Sequence, residues 1–151
     1  MSAPMALPLS PLLAMRAAIL ARLAGDAALA RLMGGSLRLH DEPPRGASPV
    51  YALFGDAEIR DASVDGAERH AHTLALVVFA RPGSSRTALE AAALMAGLLT
   101  DPGLVLAGHA LVTCRVLALA ATRDPRSGEA RATLTLAAVT EAASDPARSP
   151  T

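Results

Sequence analysis

The sequence predicts an α+β fold, in which an antiparallel β-sheet of about four main strands carries two helices packed on one face. Residues 74–79 are apolar at every position, which is typical of a central strand with both faces covered. Residues 130–138 alternate between apolar and polar or small side chains with a period of two, as in a strand with one buried face. Segments 12–23 and 87–100 have helical spacing and carry capping residues at their starts.

The composition predicts a thin core. Hydrophobic residues make up 52% of the 151 positions, but Tyr51, Phe54 and Phe79 are the only aromatic ones. Leucine, valine and alanine must therefore fill the core, and each removes less apolar surface from water, at about 25 cal/mol per Å². A core of this kind favours stabilisation by a partner subunit.

Charge and cysteine content narrow the class of protein. Fourteen basic and fourteen acidic residues give a formal net charge of zero, so no overall field attracts the chain to DNA or to an anionic membrane. The single cysteine excludes an internal disulfide and fits a reducing compartment. The start of the chain is broken by prolines and has no basic residue before Arg16, so we expect no signal peptide.

The first elements follow an irregular N-terminal arm, predicted over residues 1–10. Ser10 can cap a helix that has Pro11 at its first position, where the missing N–H costs nothing. The apolar stripe of this helix consists of Leu12, Met15, Ile19, Leu20 and Leu23. Asp26 can cap a further short turn, which Gly34 and Gly35 close. A short strand is predicted within residues 36–40, followed by turn residues at 41–49.

The centre of the chain predicts a long hairpin followed by a helix. Residues 50–61 form one strand and the strand beginning at Glu68 forms the other, so their connection projects into solvent. Pro82 and Gly83 end that strand, and Ser84 or Thr87 can cap the second helix, with Glu90 completing a capping box for Thr87.

Two long strands complete the predicted domain. Residues 101–103 stop the second helix, residues 104–107 can pair briefly, and the two strands face each other across a turn at 123–128. The proline- and serine-rich segment 142–151 predicts an irregular C-terminal tail. The chain is therefore interpreted as one α+β domain over residues 11–141. Parity places Thr73, Arg131, Thr133 and Thr135 on the sheet face away from the helices.

Two histidines suggest one alternative chemistry. His70 and His72 are two residues apart on a strand, so they share a face and can bind one metal ion if Asp56 or Glu58 reaches them from the neighbouring strand. The spacing is common and unspecific. The simpler interpretation is that both are half-exposed histidines near the outer end of the hairpin.

Other candidate groups have structural interpretations as well. Cys114 has the strand parity of Val112 and Val116, which indicates a small buried hydrophobe rather than a nucleophile. Residues 82–85 precede a helix and can hold an anion there, but they lack the glycine spacing and lysine of a phosphate loop. Paired carboxylates, a Ser/His/Asp order and a glycine-rich nucleotide loop are missing as motifs. We therefore predict no catalytic residues, no metal ligands and no cofactor, and hence a protein that is not an enzyme.

The pattern as a whole resembles the tail-completion, or tail-terminator, family of long-tailed phages and phage-derived gene transfer agents. The stretches that carry the resemblance are residues 12–35, ValTyrAlaLeuPheGlyAsp at 50–56, residues 68–81, residues 86–99, and ArgAspProArgSerGly at 123–128 leading into 132–136. They cover about residues 11–140.

The resemblance implies a structural role in a virion or phage-like particle. Members of the family resemble subunits of a ring, typically a hexamer, at the head-proximal end of the tail. The ring stops polymerisation of the tail tube and joins it to the head connector. The implied partners are sister copies, the tail tube protein and the head–tail connector or stopper protein. The resemblance further implies that DNA passes through the lumen without sequence-specific binding, that no membrane is involved, and that assembly takes place in the bacterial cytoplasm.

The two hairpin ends, 56–68 and 123–128, are the predicted contact regions, together with the terminal arms. Arg60, Asp61 and Asp65 are the candidate interface residues at one end, and Arg123, Asp124 and Arg126 are those at the other. Each is equally explained as part of a solvated turn. Two alternatives to the ring remain. One is another connector or minor tail component, and the other is a small binding module or enzyme with a pocket between helices and sheet.

Overall fold

The computed structural model describes residues 10–43, 50–100 and 103–143, and its fold is of the predicted α+β class. Residues 1–9 of the predicted arm, residues 44–49 of the predicted turn, residues 101–102 and residues 144–151 of the predicted tail lie outside the described residues. The elements are α1 (Pro11–Ala24), α2 (Ala27–Leu32), β1 (Leu39–His40), β2 (Val50–Asp61), β3 (Arg69–Ala80), α3 (Ser85–Thr100), β4 (His109–Arg123) and β5 (Ala130–Ala142).

Helix α1 begins where the sequence predicts. The Ser10 hydroxyl accepts a hydrogen bond from the Leu13 N–H at 3.2 Å, and Pro11 takes the first helical position. Met15, Ile19 and Leu23 are fully buried, so every fourth residue faces the core. Helix α2 is the predicted short turn, with the Asp26 carboxylate accepting from the Leu29 N–H at 2.9 Å.

Within the described residues, the sheet contains five strands in the order β1-β2-β3-β5-β4. The pairs β2–β3, β3–β5 and β5–β4 are antiparallel, but β1 runs parallel to β2, with Leu39 opposite Ala52. Strands β2 to β5 are the predicted antiparallel sheet of about four main strands, and the predicted short strand, β1, adds a fifth that runs parallel to β2. Because β1 has only two residues, it offers no alternation from which its direction can be predicted.

The core lies between one sheet face and the helices. Even-numbered positions of β3 and β5 are buried, and α3 packs over β3, β5 and β4. The side of α3 that faces the sheet is largely alanine, which lets the helix approach the strands closely. Its buried residues are Ala88, Ala91, Ala92, Met95 and Leu99. Arg16 on α1 contacts Phe54 on β2, with its guanidinium 4.5 Å from the centroid of the phenylalanine ring.

The opposite sheet face has no helix on it among the described residues, and we call it the open face. Thr73 and Arg131 are exposed on it, in agreement with their parity. Tyr51 and Phe79 stack there with ring centroids 5.1 Å apart, and the Arg131 guanidinium lies 5.4 Å from the Phe79 centroid.

The predicted capping box of α3 is wrong. The helix begins at Ser85, so Thr87 lies inside its first turn and does not cap it. Glu90 instead accepts a hydrogen bond from Arg86 Nε at 2.8 Å, an exposed pair one helical turn apart. Within the described ranges, α3 and the other helices all fall short of the length and hydrophobicity that a membrane span requires.

Candidate functional site

The tip of the β2–β3 hairpin holds three of the predicted interface residues. The Asp61 carboxylate accepts hydrogen bonds from the Ser63 hydroxyl at 2.6 Å and the Ser63 N–H at 3.1 Å, and these bonds lower the pKa of Asp61. Asp65 and Gly66 both have positive φ, 29° and 82°, as the centre of a two-residue hairpin turn requires. Asp61 and Asp65 therefore also shape the tip.

Arg60 is exposed and forms an ion pair with Glu58. Its guanidinium Nε lies 2.6 Å from Glu58 Oε1, and both side chains are more than half exposed. A solvated ion pair of this kind contributes little to folding stability. The charges of Arg60 and Glu58 are therefore accessible to a partner.

The turn between β4 and β5 holds the other three predicted residues. The Asp124 carboxylate accepts from the Arg126 N–H at 2.8 Å, and that bond is the main reason why the pKa of Asp124 is lowered. The Asp124 carbonyl accepts from the Gly128 N–H, also at 2.8 Å. Asp124 thus holds the turn, while Arg123 and Arg126 are exposed beside it.

The two tips lie at opposite ends of the sheet. Arg123 is opposite Ala130, Ala130 is opposite Ala80, and Ala80 is opposite Val50, at the start of β2. The other tip follows Asp61, at the end of β2. A strand of this length spans about 36 Å. The six predicted residues therefore form two separate patches and not one site.

The arrangement of the histidines does not match the metal alternative. An irregularity in β2 between Phe54 and Ala57 places Glu58 opposite Thr73, on the open face, whereas His72 points toward the helices. In the described part of the chain, no group of three or more His, Cys, Asp and Glu side chains is placed to hold a metal ion.

His72 is buried, so the prediction that it is half exposed is wrong. Its side chain is 1% exposed, and its Nε2 lies 2.9 Å from the Thr140 hydroxyl of β5. Burial lowers the pKa of His72, and the neighbouring His70 and His109 lower it further. His72 is therefore a neutral core residue near neutral pH. Its shared parity with Leu74 and Leu76 is the sequence feature that indicates this burial.

Cys114 is half buried on β4, opposite Ala138, and burial raises the pKa of its thiol. A thiol with a raised pKa is a poor nucleophile, which agrees with a packing role. Its predicted parity partner Val112 is placed differently, because a register shift falls between Leu111 and Thr113.

The surface near the start of α3 has the form of a structural turn and a shallow groove. The Ser84 N–H donates to the Arg81 carbonyl at 3.0 Å, and Gly83 adopts a φ of 90°. A groove of about 340 Å³ between α3 and the β4–β5 hairpin has alanine as its most frequent lining residue, with Arg123 and Arg131 as its charged residues. His70 and His72 do not line this groove.

The outer edge of β4, which we call the β4 edge, is a surface that sequence reasoning missed. The strand has 15 residues, is last in the sheet and contains no Asp, Glu or Pro. It carries three exposed apolar side chains, Val112 (42%), Leu117 (48%) and Leu119 (41%). Proteins usually blunt such an edge with charges or proline. The sequence feature that could have identified this edge is the lack of acidic residues between positions 109 and 123.

In the part of the chain that the structure describes, an uncovered sheet face, an open strand edge and two projecting tips are features typical of a subunit of an assembly. The sequence matches the family described as tail completion protein gp17 over residues 17–141. The chain therefore belongs to that family and is a structural tail protein. This confirms the predicted family.

The structural comparison agrees with the family. The fold matches a chain in the solved structure titled "Virion of native gene transfer agent (GTA) particle", with a TM-score of 0.75 and 29% sequence identity. The match covers 84% of this chain and 94% of that chain. No curated protein matches this chain in sequence.

Proposed function

We propose that the protein forms a ring, typically a hexamer, that caps the head-proximal end of a tail tube and joins the tube to the head connector. The observation that carries the proposal is the match in fold and sequence to a chain of a gene transfer agent virion over nearly its full length. Membership of the tail completion family supports the same role.

The separation of the two tips fits a subunit between two unlike partners. A ring that joins a tube to a connector needs a different contact surface on each of its two sides. The tip with Arg60, Asp61 and Asp65 and the turn with Arg123, Asp124 and Arg126 lie at opposite ends of β2 to β5. We assign one tip to the tube and the other to the connector, with the open face available to line a lumen through which DNA passes.

The test is electron microscopy and native mass spectrometry of the purified full chain, alone and mixed with tail tubes. A ring, free or at one tube end, is the expected result. A species that stays monomeric in both conditions overturns the proposal. A ring that forms alone but does not bind the tubes contradicts the capping role and favours another connector component instead.

A loop replacement tests the turn assignment. Replacing residues 124–127 by a two-residue turn is expected to leave the subunit folded, because these residues lie outside the core. Completed particles are expected to be lost, since the exposed Arg126 and the turn held by Asp124 are removed. If the folded variant still joins tails normally, this turn is not part of the interface. Replacing residues 64–67 in the same way is the matched test of the other tip.

A further inference from the structure

We propose that the ring closes through its sheets, with the β4 edge of one copy pairing with residues 54–61 of β2 in the next copy. The occupant of each edge is a second copy of this chain. The inference rests on the proposed ring and adds which strands meet, in which direction and through which side chains.

Among the described residues, no further strand lies on the outer side of β4 from 110 to 123. β4 is the last strand of the sheet. At the other side, β1 covers β2 only at Ala52 and Leu53, so among the described residues no strand pairs with the outer side of β2 from 54 to 61. An unpaired edge exposes a row of N–H and C=O groups that a further strand can satisfy.

The two edges have opposite charge. Residues 109–123 contain Arg115 and Arg123 and no carboxylate, which is a net charge of +2 with histidine neutral. Residues 54–61 contain Asp56, Glu58 and Asp61 against Arg60, which is a net charge of −2. Opposite charges on two edges of one subunit favour contact between unlike edges and disfavour contact between like ones.

The register places the complementary groups at one level of the sheet. Glu58 is opposite Thr73, Thr73 is opposite Ala137, and Ala137 is opposite Arg115. Because opposite residues point to the same side of a sheet, Glu58 and Arg115 both lie on the open face. Continuing the sheet into the next copy without a shift brings these two side chains together.

Strand directions determine how the edges meet. β2 and β5 run one way, and β3 and β4 run the other way. When the sheet of the next copy continues this one with the same orientation, β4 meets β2 in antiparallel fashion. The contact is heterologous, so it repeats around a ring until the rotation closes. The apolar side chains Val112 and Leu117 then lie along the seam.

The single native cysteine makes this contact measurable. Ile59 lies at the level of Cys114, through His72 and Ala138. In one copy these two positions are three strand spacings apart, about 14 Å, whereas a disulfide needs Cα atoms within about 7 Å. A disulfide in Ile59→Cys protein therefore joins two copies.

The experiment is mild oxidation of the full-length Ile59→Cys protein followed by non-reducing gel electrophoresis. A ladder of multimers up to the ring is expected, because each copy has one cysteine on each edge. Ala57→Cys and Asp61→Cys, on the same side of β2, are run in parallel to allow for stagger between copies. One matched control is the double variant Ile59→Cys with Cys114→Ser, which lacks the cysteine on β4. The other is Glu90→Cys, which places a cysteine at an exposed position of α3. Neither control should give the ladder.

Three outcomes distinguish a failure of the proposed edge pairing from a failure of the proposed function. Ring formation in native mass spectrometry without a disulfide from any of the three positions overturns the edge pairing and leaves the ring intact. Covalent dimers without larger species also overturn it, because they indicate a two-fold contact. No oligomer from the unmodified chain, alone or with tubes, overturns the proposed function itself.

A charge exchange provides an independent readout. Arg115→Glu and Glu58→Arg are each expected to shift the protein toward monomer at low salt, and the double variant is expected to restore the oligomer. Circular dichroism should show unchanged folding, since both side chains are exposed. Single variants that assemble as the unmodified chain does would contradict the proposed contact between these two residues.

Discussion

His72 Nε2 lies 2.9 Å from Thr140 Oγ1, joining β3 to β5 inside an otherwise aliphatic layer. Replacing Thr140 with valine keeps the shape of the side chain but leaves the buried ring nitrogen unpaired. We expect the free energy of unfolding to fall by about 1–3 kcal/mol, measured by urea denaturation. Thr133→Val on the open face of the same strand is the control and should change stability little. Equal losses in the two variants would show that His72 does not depend on this bond.

Stability should also depend on pH through His72. Its pKa is lowered in the folded state by burial and by His70 and His109, so the unfolded chain binds a proton more readily. The contribution of His72 is complete above its unfolded pKa of about 6.5 and is lost as pH falls toward the folded pKa. Urea denaturation at pH 7.5, 6.5 and 5.5 should show this loss. The double variant His72→Leu with Thr140→Val should lose less over that interval, and an equal loss would assign the effect elsewhere.

The strength of the sequence pattern decided which parts of the fold could be predicted. Residues 74–79 and 130–138 have side-chain patterns typical of strands, and both are strands in the structure. The prediction that both faces of 74–79 are covered is wrong, because its odd-numbered residues lie half exposed on the open face. The direction of β1 and the register shifts in β2 and β4 depend on pairing between distant residues, which no local pattern contains.

The same limit applies to the candidate surfaces. Asp61 and Asp124 were predicted as interface residues because they lie in polar turns, and the structure adds that each carboxylate holds its own turn. The β4 edge was missed because its position at the end of the sheet follows from strand order. His72 was assigned to the hairpin's outer end, although its parity indicated the core.

The turn at the β2–β3 tip depends on its glycine. Gly66 adopts a φ of 82°, a region that costs other residues about 1–2 kcal/mol. Gly66→Ala is therefore expected to lower the thermal midpoint, although a Cβ meets no atom within 4 Å there. Asp65→Asn keeps a residue that tolerates positive φ and should leave the midpoint nearly unchanged. A Gly66→Ala variant as stable as the unmodified protein would show that the turn relaxes.

A glycine within α3 should respond in the opposite direction. Gly97 lies inside the helix, is exposed, and has open space where a Cβ would be. Gly97→Ala is expected to raise the free energy of unfolding by about 0.5–1 kcal/mol, since glycine loses more backbone entropy in a helix. The urea denaturation midpoints of Gly97→Ala and Gly66→Ala are measured side by side. A lower midpoint for Gly97→Ala than for the unmodified protein would contradict the prediction.

The aliphatic core should be sensitive to truncation. Leu136 is fully buried on β5 in the central cluster, so Leu136→Ala is expected to cost about 2–5 kcal/mol. Leu13→Ala removes the same atoms from a half-exposed position on α1 and should cost much less. Similar losses at the two positions would show that this core collapses around a void more easily than expected.

The stack of Tyr51 on Phe79 has a practical consequence. The chain has one tyrosine and no tryptophan, so excitation at wavelengths that phenylalanine does not absorb gives fluorescence from a single ring. That ring lies on the uncovered side of the sheet, beside the Arg131 guanidinium, which sits over Phe79. The unmodified protein thus contains its own optical reporter, and a ligand that covers this surface will change the emission without any attached dye.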